Sequence, residues 1–268
     1  MDKHISCVAI IGVGQVGAAV AYTLISGSVA DELLIVDTRA EWRNGQPVRY
    51  GGNHRGVKIF LRDGPNKSRL SVSQHGDSPV RRQRDEAVPE ISGLPPSQVL
   101  GSGTFLDTVR LRGLLADKAG VTQSSIDLHV LGIHGDAQVA VWSTATVDGI
   151  PLEKAALPCM ASEADKVALA HECQNRSRSI IATKGTTSYG IASVVSSICT
   201  SILQDRRNVC PVSHFQPEFG CYFSLPAVLG RMGVVQRVPA GLSARENEAI
   251  VESAKELKST LDRVQERY

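Results

Sequence analysis

Apolar and polar positions divide the chain into three stretches. In the first, Cys7 to Ile11 is a short apolar run that ends on glycines and reads as a buried strand. An apolar-rich segment from Ala18 to Ile25, closed by Gly27, reads as a helix. A second strand, Leu33 to Val36, ends on Asp37. Strand, helix and strand in that order predict the start of a parallel sheet. In the second stretch, from Pro47 to Ile91, the pattern breaks. Arg, Ser, Gly and Gln are frequent, periodicity is weak, and Val57 to Leu61 is the one run that reads as a strand. Arg81-Arg82-Gln83-Arg84-Asp85-Glu86 is a charge run of the kind that forms a solvated face. A structureless loop of this length does not suit a compact domain, so residues 47–91 are left unassigned.

Order returns in the third stretch at Ile91-Ser92-Gly93-Leu94-Pro95. Leu106 to Ala116 reads as a helix. Asp107 and Arg110, three apart, share one of its faces. Ile126, Leu128, Val130 and Leu131 mark a buried strand, and Val139 to Val147 a second one closed by the Asp148-Gly149 turn. Ser162 to Cys173 and the apolar run Ile191 to Leu203 read as helices, the latter expected to pack back across a domain boundary. Tyr222 to Leu229 and Val234 to Val238 read as a strand pair. The last helix opens with a capping box, Ser243 and Glu246, and carries the stripe Ile250, Ala254, Leu257, Leu261 and Val264, which is a packing face.

Composition narrows the function classes. The 268 residues suffice to bury a sizeable core in one large or two modest domains. A net charge of +2 gives no global case for nucleic acid or a membrane surface. No apolar run approaches the roughly 20 residues that a bilayer span needs. The start, Met1-Asp2-Lys3-His4-Ile5, lacks the apolar core of a signal peptide, so a cytoplasmic protein is expected. The six cysteines (Cys7, Cys159, Cys173, Cys199, Cys210 and Cys221) are scattered without a CxxC pair; they read as reduced, mostly buried thiols and suggest no metal site.

Two motifs carry chemistry. Gly12-Val13-Gly14-Gln15-Val16-Gly17 lies between the first strand and its helix, and Asp37 closes the next strand about 20 residues on, as the dinucleotide fingerprint requires. Gly12 allows the turn, Gly14 lets the backbone approach a pyrophosphate, and Gly17 lets helix and strand pack. The helix start at Gln15 and Val16 faces the phosphates. Asp37 accepts hydrogen bonds from a ribose and repels a 2′-phosphate, which favours NAD over NADP. The second motif is Gly132-Ile133-His134-Gly135-Asp136, where two glycines around a histidine allow a tight turn and an accessible imidazole. A lone histidine of this kind is ordinarily structural. Upstream, however, Gly101-Ser102-Gly103-Thr104-Phe105-Leu106-Asp107-Thr108-Val109-Arg110-Leu111-Arg112 offers a carboxylate to orient the imidazole and an arginine to clamp an anion. The residues alone leave an Asp-His-Arg site and a structural histidine equally open.

These segments resemble the lactate and malate dehydrogenase family, most closely its L-lactate dehydrogenase branch. The matching pieces are Ile10 to Gly17, Asp31 to Asp37, Ser92 to Arg112, Gly132 to Ser143, Lys184 to Ala192 and Tyr222 to Val235. The lean towards lactate comes from Val139-Ala140-Val141-Trp142-Ser143 and from Thr187 after Lys184-Gly185. The resemblance implies an α/β fold, with an incomplete Rossmann-type doubly wound parallel sheet in residues 1–91 and an α+β catalytic domain in residues 92–268. It implies that His134 exchanges a proton with a 2-oxo or 2-hydroxy acid while hydride moves to or from nicotinamide. Asp107 would orient that imidazole and Arg110 would hold the substrate carboxylate. Thr187 would line the substrate pocket and Ser102 would sit near the nicotinamide. A homodimer or homotetramer is the family's usual state.

Two family features have no counterpart between Asp37 and Ser92. One is a mobile-loop arginine that polarises the substrate carbonyl; the other is an Asn-Pro-Val-Asp turn. A change of reading frame across residues 47–91 would leave family sequence on both sides, which is the pattern here. Loss of these features is expected to impair activity. Arg112 matches an arginine that binds fructose bisphosphate in many bacterial members, but Asp127 stands where a histidine would be, so no such activation is expected. Malate dehydrogenase and a non-catalytic nucleotide-binding remnant remain alternatives.

Overall fold

The computed structural model describes residues 6–37, 58–62, 71–73, 93–160 and 162–265. Strand β1 (Cys7–Ile11) leads through the glycine turn into helix α1 (Gln15–Ser26), which returns to strand β2 (Glu32–Val36). Gly27 caps α1, and Val20, Ala21, Leu24 and Ile25 bury its inner face against Ile10, Leu33 and Ile35. Strand β3 (Lys58–Arg62) pairs in parallel with β2, in the order β1-β2-β3. It overlaps the strand expected at Val57 to Leu61. The rest of residues 47–91, apart from strand β4 (Ser71–Ser73), lies outside the described residues, including the charge run at Arg81 to Glu86.

A second sheet runs in the order β4-β5-β9-β10-β6-β7-β8, with β11 paired to β10. Its strands are β5 (Val99–Gly101), β6 (Ile126–Gly132), β7 (Gln138–Val147), β8 (Ile150–Pro151), β9 (Asn208–Gln216), β10 (Cys221–Gly230) and β11 (Gly233–Arg237). Strands β4 and β5 are parallel; the other pairs are antiparallel. The parallel three-stranded unit beside this largely antiparallel sheet is the expected α/β combination. Helix α2 (Phe105–Ala119) packs Leu111 and Leu115 against Ile126, Leu128 and Val130 of β6. Helix α5 (Ala244–Gln265) begins with the expected box, in which Ser243 Oγ accepts from Glu246 N while Glu246 Oε2 accepts from Ser243 N at 2.8 Å. Ile250, Ala254, Leu257 and Leu261 of its stripe are buried; the side chain of Val264 lies outside the described residues.

Helices α3 (Glu163–Lys184) and α4 (Ser188–Leu203) complete the fold. The expected end of α3 at Cys173 is eleven residues short of the observed end at Lys184. Beyond Cys173 the helix is polar and largely exposed, so no apolar stripe marks it, and it stops only where Gly185 adopts φ 75°. Helix α4 does span two cores, as expected. Ala192 and Cys199 join the cluster around α1, while Val194, Ile198 and Ile202 pack with Val212, Ala227 and Leu229 of β9 and β10. Strand β9 was not anticipated. Pro211 interrupts its pattern and it buries the polar Ser213, His214 and Gln216. Pro211 sits opposite Pro226 of β10, the two prolines sharing one register position. None of the six cysteines forms a disulfide, and Cys173, Cys199, Cys210 and Cys221 are buried. Among the described residues no helix is long and apolar enough to cross a membrane.

Candidate active site

The site forms where the start of α2 meets the end of β6, and short-range polar ties fix that meeting. Thr104 Oγ1 donates to Val130 O at 2.6 Å, and Val130 N donates to Thr108 Oγ1 at 2.9 Å. Thr104 N donates to Ser224 Oγ of β10 at 3.0 Å. Gly103, at φ 50°, is required here, because a Cβ would lie 2.0 Å from Ser224 Oγ. The first turn of α2 is thereby held against β6 and β10 together.

Beyond Val130, β6 ends at Gly132 with φ 86°, and Gly135 follows with φ 106°. Both values lie in the region that favours glycine, and the turn between them carries His134. Asp107, in the first turn of α2, is 1% exposed, and its Oδ2 lies 2.5 Å from His134 Nδ1. Arg110, one turn further along α2, places Nη1 at 3.8 Å from Asp107 Oδ1. Burial lowers the pKa of Arg110, opposed by the Asp107 carboxylate. The guanidinium nevertheless keeps its charge, since arginine titrates far above neutral pH. A carboxylate, an imidazole and a guanidinium expected from distant segments thus come together.

Helix α3 completes the surroundings. Arg110 Nη1 donates to Ser177 Oγ at 2.5 Å, and the Cys173 thiol donates to the backbone oxygen of Asp107 at 3.4 Å. Burial pushes the Cys173 thiol up to about 12, so it stays protonated. Arg178 pairs with Asp136 of the histidine turn at 2.9 Å. The sequence alone singles out none of these three α3 residues for the site. For Cys173 and Ser177 the signal is their four-residue spacing, which matches the three-residue spacing of Asp107 and Arg110 across two packed helices.

The remaining expected residues lie at element ends. Ser102 is buried just after β5, and its carbonyl accepts from Phe105 N at 3.1 Å. Thr187 stands at the N-cap position of α4 without a side-chain cap bond, and the first turn of α4 meets α2: a Cβ at Gly190 would lie 3.2 Å from Leu106 Cδ1. In the glycine loop Gly12 has φ 88°, and a Cβ on Gly17 would lie 1.9 Å from Gly12 O. Gly14 is the N-cap of α1 and provides no side-chain cap, while Gln15 and Val16 form the helix's first turn. Asp37, buried at the end of β2, accepts from Val13 N at 2.8 Å and so braces the loop. An uncapped helix start behind a Gly-Val-Gly turn, with a carboxylate at the neighbouring strand end, fits the adenosine diphosphate half of a dinucleotide. Away from this region, Arg112 Nη2 pairs with Asp127 Oδ1 at 2.8 Å and Arg112 Nε donates to Leu128 O.

Residues 104–268 match the alpha/beta C-terminal domain of the lactate/malate dehydrogenases. L-lactate dehydrogenase A of Rhizopus oryzae is 33% identical, with 95% of this chain and 92% of that protein aligned. The L-lactate dehydrogenase of Kosmotoga olearia is 32% identical over 97% of this chain and 96% of its own length. These alignments run to 296 and 311 positions, longer than the 268-residue chain, so the relatives carry residues that this chain lacks. The ligand-bound minor L-lactate dehydrogenase of Enterococcus mundtii superposes with a TM-score of 0.83 at 28% identity, covering 98% of this chain and 99% of that one. A lactate dehydrogenase from a deep-sea metagenome shares the fold, with a TM-score of 0.86 at 24% identity.

Proposed function

Because the chain belongs to the lactate/malate dehydrogenase family, we propose that it is an NAD-dependent L-2-hydroxy-acid dehydrogenase that interconverts L-lactate and pyruvate. The observation that carries this reading is the buried Asp107 carboxylate on His134 Nδ1, with Arg110 one helical turn away. When bound, the nicotinamide supplies or accepts a hydride. Arg110 takes the substrate carboxylate in a bidentate pair and so turns C2 towards the transferred hydride. His134 carries the proton. In pyruvate reduction, the imidazolium gives its proton to the carbonyl oxygen as C2 takes up the hydride, leaving neutral imidazole and L-lactate. Asp107, bonded to Nδ1, assigns this exchange to Nε2 and favours the imidazolium form that makes the donor. Gly12, Gly14, Gln15, Val16, Gly17 and Asp37 would hold the adenosine diphosphate half of NAD, Ser102 would sit near the nicotinamide, and Thr187 would line the substrate pocket. The motif with the carbonyl-polarising arginine is absent from residues 37–92. Loss of one such preorganised donor slows turnover on the order of 100- to 1000-fold relative to a chain that has it. The protein acts in the cytoplasm as a homodimer or homotetramer.

NADH consumption by the purified chain with pyruvate, and in parallel with oxaloacetate, tests this reading. Faster reaction with pyruvate, giving L-lactate, supports it. Faster reaction with oxaloacetate makes the chain a malate dehydrogenase. Failure with both, although NADH binds, makes it a non-catalytic nucleotide binder.

A further inference from the structure

Helix α3 touches the two working residues of α2 at two adjacent rungs. Cys173 reaches the backbone of Asp107, and Ser177, one turn later, reaches the guanidinium of Arg110 at 2.5 Å. Arg110 stands between two acceptors. Its Nη1 lies 3.8 Å from Asp107 Oδ1, which attracts the cation, and the same Nη1 donates to Ser177 Oγ at 2.5 Å. A guanidinium that moved fully onto Asp107 would compete with His134 for the same carboxylate. It would also turn the fork of N–H groups that a substrate carboxylate needs. The exposed Arg176 adds like-charge repulsion to Arg110 and supplies no anchor. Thr104 and Thr108 fix α2 to β6, and the exposed Arg178–Asp136 pair bridges α3 and the histidine turn.

We propose that Ser177 is a positioning residue of the carboxylate clamp: its hydroxyl accepts from Arg110 and keeps the guanidinium off Asp107 and presented to the substrate. The proposal rests on the dehydrogenase reading for the identity of the carboxylate, but the hold on Arg110 can be measured without turnover. Nitrogen-15 spectra of the arginine side chains of the full chain, with Arg110→Lys to assign the signal, report how firmly the guanidinium is held. The Arg110 Nη signal is resolved in the wild type and in Ser177→Thr, which keeps the hydroxyl. It broadens in Ser177→Ala and in Ser177→Val, the second hydroxyl-free variant. In steady-state kinetics with pyruvate, loss of one such hydrogen bond raises KM about fivefold with kcat changed by less than about twofold, and Ser177→Thr restores KM. An Arg110 signal that is the same with and without the hydroxyl overturns the proposal whether or not the chain turns over pyruvate. An unchanged KM, or a fall in kcat at constant KM, overturns it as well. Absence of turnover in the wild type together with the expected spectra contradicts the dehydrogenase reading and leaves the hold of Ser177 on Arg110 standing.

Discussion

Three side chains with different burial divide the work at the residue scale. Asp107 is almost wholly enclosed, His134 is half-buried and Arg110 lies between them in exposure. That gradient suits their roles: the orienting carboxylate is kept from water, while the proton carrier stays within reach of a small acid. Arg112 differs from Arg110 in that its charge is already paired. Asp127 meets it at 2.8 Å, and a carboxylate at that position repels a phosphate. Fructose bisphosphate is therefore expected to leave the half-saturation for pyruvate unchanged; a fall in that value on adding the sugar bisphosphate would refute the assignment. Much of this scale was legible beforehand. Asp107, Arg110 and His134 announced themselves through short glycine-flanked or helical motifs. Ser177 and Cys173 did not, because their meaning depends on which helix lies opposite.

At the scale of elements, junctions matter more than the elements they join. Glu246 is one such junction. Its carboxylate completes the cap of α5 and also accepts from Trp142 N at 2.8 Å, Ser143 N at 3.0 Å and Ser143 Oγ, so it fastens α5 to β7. Burial pushes its pKa up, but the hydrogen bonds from Ser143 and Ser243 together outweigh burial and leave it below the ordinary value of 4.5. A carboxylate depressed in the fold stabilises it above the unfolded pKa and loses that contribution as pH falls through the folded value. Chemical denaturation of the wild type is thus expected to show stability falling below about pH 4.5, with a shallower fall in Glu246→Gln. Equal slopes for the two proteins would count against this junction. The capping box itself was visible in sequence; its second task, holding β7, was not. Strand β9 and the second half of α3 escaped for related reasons. Pro211 and buried polar residues hide the strand, and an exposed polar surface hides the helix.

The whole molecule joins a short parallel unit, β1-β2-β3, to a large mixed sheet, and α4 is the element that packs on both. The fold class could be read from the order of strand, helix and strand followed by antiparallel signals. The pairing of β4 with β5 across residues without periodic pattern could not be read. If the parallel unit keeps its nucleotide site, NADH binds the folded chain and shifts its melting point. At a hundredfold excess over Kd the added stability is about 2.7 kcal/mol, a rise of several degrees for a chain of this size. Gly17→Ala removes that rise, since the new Cβ would lie 1.9 Å from Gly12 O and force the glycine turn to move. An equal NADH-dependent rise in the variant would show that the glycine loop does not hold the nucleotide.

The proposed chemistry turns on the proton carried by His134, which Asp107 holds at the end of β6. The most direct measurement is the rate of pyruvate reduction by NADH, at saturating concentrations of both, for the wild type and for His134→Ala. Measurable turnover is expected in the wild type, with a loss of roughly 100- to 10,000-fold in the variant, the usual worth of a positioned acid–base group. Equal rates in the two proteins, or no turnover in a wild type whose melting point rises with NADH, would contradict it.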